Sequence, residues 1–197
     1  MDIVRPYILD RDLIDATTAD QTAVLIAAGA DVNATDRKGR TALMMATSAD
    51  QSKILLNAGS DVNGTDNYGI TALMRSTSVS QTEFLLLSGA DVSSVNEYGE
   101  KAIHLCNNID QMKVLISYGA DVESADDKGV HPIHYACHNG NIDIVRFLLC
   151  EAGVDASVRS SCEANVYHYL DQYESNDYIK RQIRELLDAA CASANAV

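Results

Sequence analysis

Five near-copies of one short phrase recur along the chain at almost fixed spacing: GADVN (Gly29 to Asn33), GSDVN (Gly59 to Asn63), GADVS (Gly89 to Ser93), GADVE (Gly119 to Glu123) and GVDAS (Gly153 to Ser157). Their glycines lie 30, 30, 30 and 34 residues apart. A period of this size implies stacked small units rather than one closed core. Each unit then touches only its neighbours, and the product is an extended surface. Recognition of a partner is therefore expected in preference to catalysis.

The stretch from Asp61 to Ala90 shows what one unit builds. Val62 to Gly69 is polar, with the turn formers Asp66, Asn67 and Gly69. Thr71 stands where a helix N-cap would stand, before Ala72, Leu73 and Met74. This predicts a first helix running to about Thr77. Phe84, Leu85, Leu86 and Leu87 carry a second helix, with Gln81 and Glu83 expected to point outward. Gly89 ends it, since glycine takes the left-handed conformation at a helix C-terminus without a side-chain clash. The unit before repeats the plan with Thr41 to Met44 and Ile54 to Leu56. The unit after repeats it with Ala102 to His104 and Val114 to Ile116.

These residues resemble the ankyrin repeat. That family's turn ends in D-x-x-G, present as Asp36 to Gly39, Asp66 to Gly69 and Asp126 to Gly129, with Asn96 in place of Asp before Gly99. Its T-P-L-H slot reads TALM (Thr41 to Met44, Thr71 to Met74), KAIH (Lys101 to His104) and HPIH (His131 to His134). The resemblance covers roughly residues 10 to 158. It implies an all-α solenoid of stacked helix-turn-helix units with β-turn or hairpin tips. The inner units are three residues shorter than the family's common length of about 33. The shortfall lies between the helices, where Cys106 to Ile109 stands against Ala136 to Ile142. The first helix of an inner unit should therefore end early.

At the ends the motif fades. Leu13, Ile14 and Ala16 to Ala28 read as a degenerate first repeat, with Val24, Leu25 and Ile26 in its inner helix. Residues 1 to 12 are expected as a short capping helix or an arm. Two further helices are expected, Asn165 to Tyr173 and Asp177 to Ala190, and Ala192 to Val197 as a frayed end. The expected division is residues 1–158, about five repeats, and residues 159–197, a divergent helical capping repeat. A separate recognition helix carrying Lys180, Arg181 and Arg184 is the competing reading of that segment.

Composition narrows the function. The net charge of −13 opposes nucleic-acid binding, which works by neutralising phosphates with Lys and Arg. It serves either solubility or attraction to a basic partner. No 18-residue apolar run is present, so no membrane span is expected. The N-terminus, MDIVRPYILDRD, lacks the basic start and apolar run of a signal peptide. An intracellular, cytoplasmic site follows, or delivery into a host cell for an effector. Cys106, Cys137 and Cys150 lie in apolar helical stretches and read as small buried hydrophobes in a reduced compartment. No cofactor is expected, and a monomer by itself is.

His131, His134, Cys137 and His138 fall within eight residues, and His134 and His138 share a helix face as zinc ligands can. Against a metal stands the resemblance, which implies that His134 is a buried hydrogen-bonding residue between repeats. No metal is expected. No Ser-His-Asp order, Gly-rich phosphate loop or paired-Cys motif marks an enzyme. The aspartates of the repeated phrase recur with the repeat and read as structural.

The resemblance implies protein binding through the turn tips and the outer side of the first helices, together a concave face. Carried over residue by residue, the tip positions are Arg37, Lys38 and Arg40, then Asn67, Tyr68 and Ile70, then Glu97, Tyr98 and Glu100, then Asp127, Lys128 and Val130. The helix-end positions are Thr47 and Ser48, Thr77 and Ser78, Asn107 and Asn108, His138 and Asn139. A water-facing turn does not need tyrosine, whereas tyrosine is enriched in the energetic centres of interfaces. Tyr68 and Tyr98 are thus expected to anchor a protein partner; packing on their own hairpins is the other reading. The expected function is a non-enzymatic protein-interaction module. Its alternatives are an inhibitor or immunity protein that neutralises a basic enzyme or toxin, and a microbial or viral effector adaptor. An enzyme with an unrecognised site, or a regulator using His134 and His138 with a metal, is the reading from another class.

Overall fold

The structure is a computed structural model that describes residues 4–172 and 176–194. It is all-α, and the described residues hold no strand, only isolated bridges at two tips, Thr65 with Thr71 and Arg159 with Asn165. The chain divides into two compact units, Met1–Glu97 and Tyr98–Val197.

The first unit contains α1 (Val4–Ile14), α2 (Ala19–Ala27), α3 (Ala42–Met45), α4 (Ala49–Asn57), α5 (Ala72–Arg75) and α6 (Val79–Leu87). Like packs on like: α1 on α3 and α3 on α5 in one layer, α2 on α4 and α4 on α6 in the other. Leu13, Leu43, Leu55 and Leu85 form the centre of this core. Leu13 and Ile14 are the last turn of a single eleven-residue helix that begins at Val4, so the segment expected as a separate cap or arm is continuous with the first repeat.

The short inner helices have a local cause. The Thr41 and Thr71 hydroxyls accept the Met44 and Met74 amides at 3.4 and 3.3 Å, which starts α3 and α5. After one turn the chain goes extended at Ala46 and Ser76 (ψ 131° and 133°). Ser48 and Ser78 then cap the next helices by accepting the Gln51 and Gln81 amides at 3.2 and 3.3 Å. The first helix expected to reach Thr77 therefore ends at Arg75.

Gln81, expected on the surface, is 1% exposed. Its Nε2 donates to the Ala46 carbonyl at 2.9 Å and to Ser52 Oγ at 3.1 Å, and its Oε1 accepts the Thr77 amide at 3.3 Å. Gln51 does the same one repeat earlier, with Ala16 O at 2.8 Å, Thr22 Oγ1 at 3.0 Å and the Thr47 amide at 3.0 Å. The residues missing between the helices would have continued the first helix. The amide fills that space and satisfies backbone groups that burial would otherwise orphan. Glu83 is exposed as expected; Leu87, read with the apolar residues of that helix, is also exposed, at 68%. Val24 is likewise exposed, at 67%.

The second unit contains α7 (Ala102–Leu105), α8 (Ile109–Ser117), α9 (Pro132–His138), α10 (Ile142–Cys150), α11 (Val166–Asp171) and α12 (Asp177–Ala194). Its helices pair as α7 on α9 and α9 on α11, α8 on α10 and α10 on α12. With the full-length connection, α9 reaches seven residues where α7 has four. The position filled by Gln51 and Gln81 is filled in α10 by Ile144, 1% exposed. Cys106 and Cys137 are buried as expected, but Cys150 is exposed. It is the last residue of α10, beyond the buried face of Ile144, Val145 and Leu148.

Asn165 caps α11 by accepting the His168 amide at 3.1 Å. That helix ends at Asp171, and Tyr173, expected as its end, lies outside the described residues. Helix α12 continues through Ala192 to Ala194, beyond its expected end at Ala190 and into the segment expected to fray; residues 195–197 lie outside the described residues. Val166 and Leu170 of α11 and Ile183 and Leu187 of α12 are fully buried.

Candidate partner-binding surface

Three of the tips are turns built on one carboxylate. Asp36 Oδ1 accepts the Lys38 and Arg40 amides at 2.8 and 3.0 Å. Asp66 accepts those of Tyr68 and Ile70 at 2.9 and 3.0 Å, and Asp126 those of Lys128 and Val130, both at 2.8 Å. The tips are also laced together by their backbones. In the first unit the Asn67 amide donates to Lys38 O and the Glu97 amide to Tyr68 O, both at 2.9 Å. In the second, the Asp127 amide donates to Tyr98 O at 3.0 Å and the Ser161 amide to Lys128 O at 2.8 Å. The backbone of an apex is thus committed, and its side chains are what it offers to solvent.

In the first unit, Arg37, Lys38, Asn67, Tyr68 and Glu97 are exposed, and Ile70 is half-buried. Arg40 is also half-buried; its Nε donates to Asp36 Oδ2 at 2.7 Å, which makes it a strut of its own turn. Tyr68 is 47% exposed. In the second unit, Tyr98, Asn107, Asn108, Asp127, Lys128, His138 and Asn139 are exposed and Glu100 is half-buried. Asn108 accepts the Asp110 and Gln111 amides at 2.9 and 3.0 Å and is occupied in capping α8. Asn139 Nδ2 donates to Asn107 Oδ1 at 3.2 Å. Val130 is a correction: at 6% exposure it belongs to the core and not to the tip surface. It lines the inner wall of a crevice with Tyr135 and Tyr169.

That crevice, of about 380 Å³, is also bordered by Tyr98, Glu100, Asp126 and His168. At its floor the Tyr135 hydroxyl lies 2.6 Å from Glu100 Oε1 and 2.9 Å from Asp126 Oδ2. Burial, and then the hydrogen bonds to these two carboxylates, push the phenol well above its ordinary range. Two buried histidines pack on these tyrosines in T-shaped pairs, His104 with Tyr135 at 5.6 Å and His134 with Tyr169 at 4.8 Å between ring centroids. Sequence reasoning missed Tyr135 and Tyr169. The available signal was Tyr135 itself, at a place where the inner repeats carry Met45, Arg75 and Leu105. It also missed a further tip at residues 160–163, which has neither the aspartate nor the glycine. There the Ser160 amide donates to Ala164 O and the Glu163 amide to Ser160 O, both at 2.9 Å, and Glu163 takes φ 62°.

The histidines of the considered metal cluster are placed apart by burial. His134 is fully buried and its Nδ1 accepts the His131 amide at 3.0 Å. Its Nε2 has no hydrogen-bond partner among the described residues. Burial holds this imidazole down to about 4, with His131 adding to the shift. His104 makes the fuller set, Nδ1 accepting the Lys101 amide and Nε2 meeting Ser124 O, both at 3.0 Å. Cys137 is buried and its thiol pushed up to about 12, while His138 is exposed. Among the described residues no three His, Cys, Asp or Glu side chains converge as metal ligands would, and no helix is long and apolar enough to cross a membrane.

Helix pairs joined by hairpin tips, with committed tip backbones and variable apex side chains, define a repeat-type recognition scaffold. A family model described as ankyrin repeats (3 copies) matches residues 13–85 and 75–160, and the chain belongs to the ankyrin-repeat family. Ankyrin repeats are typically non-enzymatic protein–protein interaction modules. Among curated proteins none matches the chain.

Proposed function

We propose that this chain binds a protein partner through its tip apices and the first-helix surfaces beside them, with Tyr68 and Tyr98 as aromatic anchors. The observation that carries this is the exposure of Tyr68 at 47% and Tyr98 at 51% on turns whose geometry is set by other residues. Exposed tyrosine supplies contact area at small entropic cost. Arg37, Lys38, Asn67, Glu97, Asp127 and Lys128 give the remaining apices their charge pattern. Residues 159–197 are read as the closing repeat of the array. The net charge of −13 favours a basic partner and disfavours nucleic acid. The same charge supports the second reading, an inhibitor of a basic enzyme or toxin, over an effector adaptor.

The test is affinity capture by the full chain from lysate of the source cells, with the captured protein identified and its Kd measured. Replacing Tyr68 and Tyr98 together by Ala should weaken binding more than about tenfold. The melting temperature should move by less than about 2 °C. An unchanged Kd would overturn the assignment of the tyrosines.

A further inference from the structure

We propose that the cavity beside the first tip receives an extended segment of the partner protein that carries an acidic side chain and takes the place of a preceding tip. The inference rests on reading the tips as a partner-binding surface, and it names the chemistry recognised at the first of them.

The first unit lacks one rung. Arg37, Asn67 and Glu97 stand thirty residues apart, at the same place in successive tips. The Asn67 and Glu97 amides donate to Lys38 O and Tyr68 O of the tip before, both at 2.9 Å. The Arg37 amide has no partner among the described residues. The cause is α1. Leu13 stands thirty residues before Leu43, each is 1% exposed, and α1 packs on α3 as α3 packs on α5. Helix α1 is thus the inner helix of a repeat, but residues 6–9, the counterpart of the turn at 36–39, lie within it. It does replace another bond between repeats. Asp10 Oδ1 accepts the Asp31 amide at 2.7 Å, as Asn33 and Asn63 Oδ1 accept those of Asp61 and Asp91 at 2.9 and 2.8 Å. The rung at Arg37 is left over, and a cavity of about 390 Å³ lies between α1 and the tip. An amide left open at the end of a hydrogen-bonded series is a template for a further chain segment.

The lining sets the charge of that segment. Four cations border the cavity, Arg11, Arg37, Lys38 and Arg40, with three carboxylates. The carboxylates are engaged. Asp36 takes the Lys38 and Arg40 amides and Arg40 Nε, Asp10 takes the Asp31 amide, and Asp15 lies 3.8 Å from Arg11 Nε. Arg37 and Lys38 are exposed and make no ion pair among the described residues. A carboxylate answers these two cations with charge-assisted hydrogen bonds. An acidic residue in an extended segment meets both needs. A main-chain carbonyl accepts from the Arg37 amide, and the carboxylate reaches the Arg37 and Lys38 side chains. The net charge of −13 repels a long acidic stretch, so a single carboxylate is the group that fits.

The experiment titrates the full, isotope-labelled chain with capped Gly-Gly-Glu-Gly-Gly, its Gln and Lys counterparts, and sodium acetate as a bare carboxylate, followed by amide NMR shifts. The Glu peptide should give saturable shifts confined to residues 10–15 and 34–40, with the Arg37 amide proton moving downfield as it gains an acceptor. The Gln peptide and acetate should each bind about tenfold more weakly, and the Lys peptide should give no saturable shift. Replacing Arg37 and Lys38 together by Gln should weaken the Glu peptide about tenfold, the loss of two solvated ion pairs, and an unchanged amide spectrum elsewhere certifies the fold. Equal binding of the Gln peptide, acetate binding as tightly as the Glu peptide, or an unaffected double variant would each overturn the proposal. So would self-association of the free chain that the double variant abolishes, which would give the site to a second copy. Failure here with capture still dependent on Tyr68 would leave the tip reading standing. Glu-peptide binding with capture indifferent to Tyr68 and Tyr98 would keep this site and remove the tyrosines.

Discussion

The short and the full-length repeats build the same helix pairs with opposite interiors. In Met1–Glu97 the space between the helices is closed by a polar plug: Gln51 and Gln81, 1% exposed each, bonded to Thr22 and Ser52 hydroxyls and to backbone carbonyls. In Tyr98–Val197 the short repeat keeps the amide, with Gln111 buried in α8, while the full-length repeat closes the equivalent space with Ile144, 1% exposed. The helix starts of the two units differ as well. Thr41 and Thr71 accept from the third helical residue, while His104 and His134 reach back to accept from the cap amide. The lesson is that repeat length and core polarity are coupled. Removing three residues removes part of a helix, and the groups it leaves behind need a side-chain amide.

Exchanging the plugs is the strongest way to break this comparison. Ile144→Gln places an amide at a fully buried position that an apolar side chain now fills. It should destabilise by about 3–5 kcal/mol. Gln81→Ile leaves the Ala46 carbonyl, the Ser52 hydroxyl and the Thr77 amide short of a partner and should destabilise by about 3 kcal/mol. Urea unfolding measures both. A neutral Gln81→Ile would show that the amide merely fills volume.

Acid separates the units next. All five histidines lie in the second. His104 and His134 are held below their ordinary value, mainly by burial, His134 down to about 4. The unfolded chain binds these protons first as pH falls, so their contribution is complete above about 6.5 and is lost as pH falls through the folded-state values, about 4 for His134. For His134 this amounts to on the order of 3 kcal/mol. The lowered aspartates of the first unit act later. The Asp91 carboxyl, held down by the Ser93 hydroxyl and amide, loses its contribution only below its ordinary value of 3.8. Hydrogen exchange at about pH 7 and about pH 5, corrected for intrinsic rates, should show α7 and α9 losing protection while α3 and α5 keep it. Equal loss in both units would place the acid-sensitive groups elsewhere.

Much of this fold is legible in the chain. Asp-x-x-Gly announces three tips, and glycine after a leucine-rich run announces the helix ends, because both signals act within a few residues. What sequence misassigns is set by partners far along the chain. Gln81 counts as surface in its own helix, yet its partners Ala46 and Ser52 lie 35 and 29 residues away. Tyr135 becomes a candidate binding residue only through Glu100, 35 residues earlier. The tip at 160–163 keeps the backbone bonds after losing both signature residues, and Val130 sits at an apex position but is covered.

The glycines of the two local signals give the smallest and sharpest contrast. Both kinds take positive φ, +75° at Gly69 in a tip and +94° at Gly59 after a helix. A Cβ on Gly59 meets nothing within 4 Å, so Gly59→Ala costs only the left-handed conformation, about 1 kcal/mol. A Cβ on Gly69 would stand 3.0 Å from Asn96 Cα and 3.3 Å from the Glu97 amide nitrogen. Those atoms are backbone, and they cannot retreat without stretching the 2.9 Å bond from the Glu97 amide to Tyr68 O. Gly69→Ala should therefore cost about 2 kcal/mol, the strain plus a weakened tip ladder. Its hydrogen-exchange footprint should fall on Glu97, and Gly59→Ala should leave that amide protected. If the two variants unfold at the same urea concentration, the tip ladder contributes nothing, and the apices that carry Tyr68 and Lys38 are held by their own aspartates alone.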